Sequence, residues 1–320
     1  MTEQSTAFVA AASMVIACSA MAADYPTRPV RVVDPFAPGG STEAQVRALG
    51  AKLTEVWGQP VVIDARPGAG SALGSQLVAQ SAPDGYTLLF NNVGIVTVPS
   101  LSRKPPFDPL RDFAPVVLVG TQPQFIVVHP SLPGTLKEFL QSAKANPGKV
   151  NFGSSGVGGS SHLSMEYFKL VTGINIVHVP YKGSNPASTA ILAGEIQLGS
   201  FAGTAVLPHI KSGKLRALAV TSPRRTVLMP DLPTAAEAGL PGFEVTTWGA
   251  MFAPAHTPSE LVMKLNQQIN AALQTAEIKE RFSKIGVEPA GGTPQELTKL
   301  LASEVRRWSK VIADAGIPRE

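Results

Sequence analysis

Short β-branched runs alternate with amphipathic helical stretches from one end of this chain to the other, and that alternation admits few folds. Residues 30–33 lead into Pro35-Phe36, and 42–57 then place Val46, Leu49, Leu53 and Val56 on one side of a helix. A strand at 61–64, a helix near 73–80, the turn Pro83-Asp84-Gly85 and a strand at 86–90 complete a β-α-β-α-β series. Strands joined through helices run parallel, so the series predicts a doubly wound α/β sheet. Runs at 114–119 and 125–128, joined by Thr121-Gln122-Pro123, read as a crossing out of this unit. A second series follows: helix 136–146, strand 150–152, helix 161–172, strand 176–179, helix 186–193, strand 196–201, helix 204–212 and strand 217–221. Residues 244–252 read as a return crossing, and helices at 259–275, 276–285 and 294–315 are expected to pack back onto the first unit. The result is two hinged lobes, 24–121 with 247–320 and 122–246, with a cleft between them. A length of 320 residues exceeds one ordinary core and agrees with this division.

The N-terminus follows another pattern. Residues 7–23 are uncharged and small or apolar, and Ala20-Met21-Ala22 has the small-x-small form of an export cleavage site, so 1–23 reads as a signal peptide. Against this, residues 1–6 carry Glu3 and no Lys or Arg, which leaves a buried N-terminal core helix as the competing reading. Val15-Ile16-Ala17-Cys18 also loosely resembles a lipoprotein box with Cys18 as its lipidated residue. Cys18 is the only cysteine, which removes disulfides, Cys metal sites and Cys nucleophiles from the rest of the chain. No apolar run beyond residue 24 reaches the 18 residues of a membrane span. Net charge is +4, or +5 (27 basic against 22 acidic residues) once Glu3 is removed. The basic residues are scattered and no nucleic-acid-binding pattern accompanies them, so nucleic acid is not an expected partner, whereas the positive excess would draw in anions.

Two loops carry the chemistry. PFAPGGSTE at 35–43 and NFGSSGVGGSSH at 151–162 each end a β-prone run and open a helix. Such turns deliver free backbone N–H groups at a helix N-terminus, which carries roughly half a positive charge. Two of them, about 115 residues apart and in different lobes, point to an anion held across the cleft. Catalysis has less support, because neither Gly153-Ser154-Ser155-Gly156 nor Gly199-Ser200-Phe201-Ala202-Gly203 has nucleophile-elbow spacing. No P-loop is present, and the run from Gly68 to Gly74 misses G-x-G-x-x-G by one residue. The serines fit anion donors and helix caps better. His129, His162, His178, His209 and His256 lack metal-ligand spacing, and no metal or cofactor is expected. His162, one turn into the helix after the second loop, is placed to bond either that loop or a ligand. A hydrolase or transferase using Ser155 or Ser160 with His162 is the alternative, weakened by the absent elbow and acidic partner. Tyr181-Lys182 ends another strand and could close over an acidic ligand, while Arg66 is expected to brace a strand end.

Ordered blocks along the chain complete the reading. They include Pro35-Phe36-Ala37-Pro38-Gly39-Gly40, Arg66-Pro67-Gly68-Ala69-Gly70, Pro83-Asp84-Gly85-Tyr86, Ser154-Ser155-Gly156-Val157-Gly158 and His178-Val179-Pro180-Tyr181-Lys182-Gly183. In these the chain resembles the solute-binding receptors of tripartite tricarboxylate transporters, the Bug family. The resemblance implies a periplasmic, monomeric type II binding protein (Venus flytrap), not an enzyme, that passes its ligand to membrane transporter subunits. Carried over by position, the ligand contacts would be Phe36, Pro38, Gly39, Gly40, Ser41, Thr42 and Glu43 in one lobe, with Asn92. In the other lobe they would be Ser154, Ser155, Gly156, Val157, Gly158 and Ser160, with Tyr181 and Lys182. The chain departs from the family at Glu43, Ala65, Ala190 and Ala202; the last two stand where Asp is common. Their loss would leave a less acidic cleft, suited to an anion without an amine: a dicarboxylate, a keto acid or an aromatic carboxylate. A sensor that signals to a membrane kinase has the same sequence features.

Overall fold

A computed structural model describes residues 25–319, so the signal-peptide segment 1–23 and Cys18 lie outside the described residues. The first series is present as β1 (Val30–Asp34), α1 (Ser41–Trp57), β2 (Val61–Ala65), α2 (Ala72–Ala79) and β3 (Thr87–Asn91). β1 pairs in parallel with both β2 and β3, Val32 standing opposite Ile63 and Leu88. α1 buries Val46, Leu49 and Leu53, but Val56 is 48% exposed and Trp57 takes the expected inward place. The helix ends at Gly58 in the left-handed region, and the Trp57 indole N–H donates to Gln268 at 2.8 Å, which pins the last turn one position further round. A helix not expected from the sequence, α3 (Gly94–Leu101), follows β3. Its β-branched residues and Pro99 disfavour a helix locally; full burial of Ile95 and Val96 offsets that preference.

The two strand-like runs at 114–119 and 125–128 are one continuous 16-residue strand, β4 (Phe113–Val128). The second series follows as α4 (Leu136–Ala145), β5 (Asn151–Ser154), α5 (Ser160–Thr172), β6 (Val177–Pro180), α6 (Ser184–Leu192), β7 (Leu198–Ala202), α7 (Gly203–Lys211) and β8 (Arg216–Val220). The return strand β9 (Thr246–Pro254) precedes α8 (Ser259–Gln274), α9 (Ala276–Lys284), the short β10 (Glu288–Pro289) and α10 (Pro294–Asp314). All strands belong to one mixed sheet with the path β2-β1-β3-β9-β4-β7-β5-β6, rather than to separate all-parallel sheets. The early part of β4 lies between β9 and β10, Thr121 opposing both Trp248 and Glu288; its late part lies between β7 and β8, Phe125 opposing Phe201 and Val220. Each lobe therefore contains the order 2-1-3-x-4, with x an antiparallel strand, β9 in the first and β4 in the second; the first lobe adds the short antiparallel β10 outside β4. The repeated plan follows from that exchange of strands.

Each lobe has its own apolar cluster, one around Val32, Leu49 and Leu265 and the other around Phe125, Ile191 and Phe201. A third cluster joins them. It contains Ile95 and Val96 of α3, Phe168 of α5, Phe243, Trp248 of β9 and Leu301, Trp308 and Ile312 of α10. The last helix thus packs against both lobes instead of the first alone. Glu304 of α10 accepts the indole N–H of Trp248 at 3.1 Å and of Trp308 at 2.8 Å, satisfying both buried donors. No helix of the described residues is long and apolar enough to cross a membrane.

Candidate functional site

The carboxyl ends of β1, β3, β6 and β7 and the N-termini of α1, α3, α5, α6 and α7 surround a cleft of about 1250 Å³. This placement follows from parallel β-α units, whose strands all point their helices' positive ends to one side. The helices facing the cleft lack the side-chain caps found on three of the others, although α8, which begins after Pro258 away from the cleft, lacks one too. Away from the cleft, Thr135, Thr275 and Thr293 cap α4, α9 and α10 with their side chains. Facing it, α1, α5, α6 and α7 begin after Gly40, Gly159, Gly183 and Ala202 and have no side-chain cap, so their first N–H groups stay available.

In the first loop, Phe36, Gly40, Ser41 and Thr42 line the cleft, and Asn92 lines it from the start of α3. Pro38, Gly39 and Glu43 do not. The Glu43 carboxylate turns back to accept the Gly39 N–H at 2.5 Å and binds Arg47 at 2.6 Å, so that glycine's donor is used inside the loop. Those hydrogen bonds, the Gly39 N–H first, hold the Glu43 carboxyl below its ordinary range. Asp34, 1% exposed at the end of β1, accepts the Phe36 N–H at 3.3 Å. Burial pushes its carboxyl up to about 7 despite that bond and one from Thr42.

In the second loop, Ser155, Gly156, Val157, Gly158 and Ser160 line the cleft, as does Lys182. Ser154 and Tyr181 stand behind it: Ser154 is fully buried, and Tyr181 packs with the apolar cluster of its lobe. Most N–H groups of this loop are taken up internally. Ser155 N–H donates to Ser161 Oγ at 2.7 Å, Gly156 to Ser154 Oγ at 3.2 Å, Gly158 to His162 Nδ1 at 3.1 Å and Gly159 to the Gly156 carbonyl at 3.2 Å. The donors left for a ligand are those of Val157 and of Ser160 and Ser161 at the start of α5, not those of the glycines. Ser155 and His162 do not pair as nucleophile and base, since Ser155 Oγ meets Ser161 Oγ at 2.8 Å and His162 Nδ1 receives the Gly158 N–H. Arg66 does brace its strand end, through Asp64 at 2.9 Å.

Several lining residues escaped the sequence reading: Gln45, Lys104, Gln122, Gln124, Phe201 and Trp248. Polar Gln122 and Gln124 flanking Pro123 in the middle of an apolar strand were the available signal. Gln45 is 5% exposed, and its Oε1 has no hydrogen-bond partner. Lys104 and Lys182 are the charged residues of the lining, which contains no Asp or Glu. Ala202 lines the cleft, but Ala190 is buried in the core of its lobe, so only one of the two Asp-to-Ala departures bears on the cleft. Among the described residues no group of His, Cys, Asp and Glu could hold a metal.

Two lobes joined by two crossing strands, with open helix N-termini facing a cleft lined by two lysines and no carboxylate, have the architecture of a solute-binding receptor. Comparison with known proteins narrows the class. The model of the tripartite tricarboxylate transporter family receptor, TctC, matches residues 45–317, and the chain belongs to this family. It is 40% identical over 316 residues to Protein BugT of Bordetella pertussis, covering 97% of this chain and 95% of that one. Among solved structures it resembles R. palustris Rpa4515 with adipate, with a TM-score of 0.84, 38% identity and coverage of 92% and 99% of the two chains. MatC from Rhodopseudomonas palustris with bound malate gives a TM-score of 0.80 and 32% identity, covering 90% of this chain and all (100%) of that one.

Proposed function

We propose that this receptor captures a small organic anion without an amino group, a dicarboxylate, keto acid or aromatic carboxylate, between lobes 24–121 with 247–320 and 122–246. The carrying observation is a lining with two lysines, several uncapped helix N-termini and no carboxylate. An ammonium group would find no counter-charge there, whereas a carboxylate meets N–H donors of Ser41 and Thr42 on one side and Ser160 and Ser161 on the other. A hydrogen bond to a charged group contributes roughly 1.5 to 3 kcal/mol net. A few such bonds reach the ~8 kcal/mol of micromolar binding. Closure follows because only the closed state offers both sets of donors. The relatives described with adipate and malate support the dicarboxylate reading, with Phe36, Val157, Phe201 and Trp248 available to an apolar middle. The receptor acts in the periplasm as a monomer, is exported by residues 1–23, and delivers its ligand to the membrane subunits of a tripartite tricarboxylate transporter. The test is mass spectrometry of the copurifying small molecule, with a calorimetric panel of adipate, malate, 2-oxoglutarate, benzoate, aspartate and glutamate. Tight binding of the two amino acids, and of none of the others, would refute the assignment.

A further inference from the structure

Behind the second loop, outside the cleft lining, lies a group of buried polar side chains that capture of an anion does not itself require. His162 is 3% exposed, and its Nδ1 accepts the Gly158 N–H at 3.1 Å. Its ring stacks on His178 with centroids 4.0 Å apart and planes 24° apart, and His178 stacks in turn on Phe152. His178 Nε2 lies 2.6 Å from Ser154 Oγ, the atom that receives the Gly156 N–H. Both turning glycines of the loop, Gly156 with φ 125° and Gly158 with φ 76°, therefore hang their N–H groups on this stack. Gly158 does so directly, Gly156 through Ser154.

The protonation of the pair is fixed by its surroundings. A neutral imidazole accepts at one nitrogen only, and a protonated one at neither. Because Nδ1 of His162 accepts, its proton sits on Nε2, which faces Glu166 Oε1 at 3.8 Å. Glu166 is buried and held by Lys169 at 2.8 Å. Burial, then His178 and Lys169, push His162 down to about 3; burial and Lys169 push His178 down to about 4. Both rings are therefore neutral at neutral pH.

We propose that His162, backed by His178, is a positioning residue for ligand capture, holding residues 154–161 in the shape that directs the Ser160 and Ser161 N–H groups into the cleft. The proposal rests on the reading of that cleft as an anion site. Without the Nδ1 acceptor, the Gly158 N–H either stays buried and unpaired or rotates the loop to reach water, and the donors offered to a carboxylate change.

The test begins on ligand-free protein. Amide exchange across 154–161 is compared in wild type, His162→Leu and His162→Asn, the last placing an oxygen near the Nδ1 position. The leucine variant is expected to exchange about tenfold faster in the loop, with β4 amides unchanged, and the asparagine variant within about twofold of wild type. Should the leucine variant fail to fold, Ser154→Ala replaces it and loosens Gly156 alone. A long-range ¹H–¹⁵N spectrum of wild type at neutral pH should show His162 Nδ1 without a proton, and loop protection should be full above pH 6.5, the ordinary imidazole value, and be lost progressively as pH falls from there toward about 3. In titrations with adipate and malate, whichever ligand wild type binds should lose about tenfold in His162→Leu and recover in His162→Asn. Wild-type exchange rates in the leucine variant, or a protonated Nδ1, would overturn the positioning role. A loosened loop with unchanged affinity would overturn its link to capture. Wild type binding neither dicarboxylate would count against those ligands, while exchange and spectrum still decide the positioning role.

Discussion

Gly158 is the position where one added carbon should do most harm. It lies in the second loop at φ +76°, and an ideal Cβ built on it falls 2.3 Å from Leu101 Cδ1, at the end of α3 in the other lobe. Gly158→Ala thus has two separable costs. The left-handed backbone costs an alanine roughly 1 to 2 kcal/mol wherever the lobes stand. The collision is with Leu101 Cδ1, the far end of a flexible side chain, and is relieved either by turning that side chain off its rotamer, at about 0.5 to 1.5 kcal/mol, or by parting of the lobes. The first cost should appear as a fall of a few degrees in Tm. The second should appear as weaker binding, about two- to twelvefold in Kd at 1.4 kcal/mol per tenfold. Calorimetric titration with a bound carboxylate and thermal unfolding read the two costs separately, and the double variant Leu101→Ala/Gly158→Ala closes the cycle. Truncating Leu101 should restore most of the affinity and little of the Tm. Unchanged affinity in Gly158→Ala, or no recovery in the double variant, would refute the claim that this contact gates closure.

Asp34, raised from its ordinary 3.8 to about 7, gives stability that is fully present below pH 3.8 and lost as pH rises through 7. The Tm of Asp34→Asn minus that of wild type should therefore increase between pH 5 and 8, and a difference that ignores pH would contradict it. Lys182→Met should weaken anion binding only about two- to fivefold at low salt, since its ammonium is exposed, with the effect fading in ~1 M NaCl; a salt-independent loss would point to a packing role instead. Glu304→Ala strands the Trp248 and Trp308 indole N–H groups in the core and should cost about 2 to 5 kcal/mol in urea unfolding, with Glu304→Gln milder because it keeps an acceptor. Equal losses in both variants would mean that charge, not acceptance, matters there.

The β-α series could be read from the sequence because helix and strand periods differ, and because Pro83-Asp84-Gly85 and Gly213 punctuate them. The Gly/Ser loops were visible for the same local reason. What stayed hidden was set by distant partners. Residues 94–101 read as apolar and β-branched, and only burial in the shared core makes them α3. Trp57 displaces Val56 inward because Gln268, more than two hundred residues on, accepts its N–H. Ala190 and Ala202 look equivalent as departures, yet one turns into a core and the other into the cleft. Within the loops, residue type identified the donors but not their direction. Gly39 and Gly158 face inward because Glu43 and His162 receive them.

The cluster that runs from α3 through α10 into α5 has a consequence for how the molecule comes apart. Excised as 122–246, the second lobe would expose Phe168 and Phe243 to water and lose the half of the sheet that flanks β4. The lobes are then not independent folding units, although the cleft divides them. They should melt in one cooperative heat-absorption event, and damage to α10 on one side should loosen the other to the same extent.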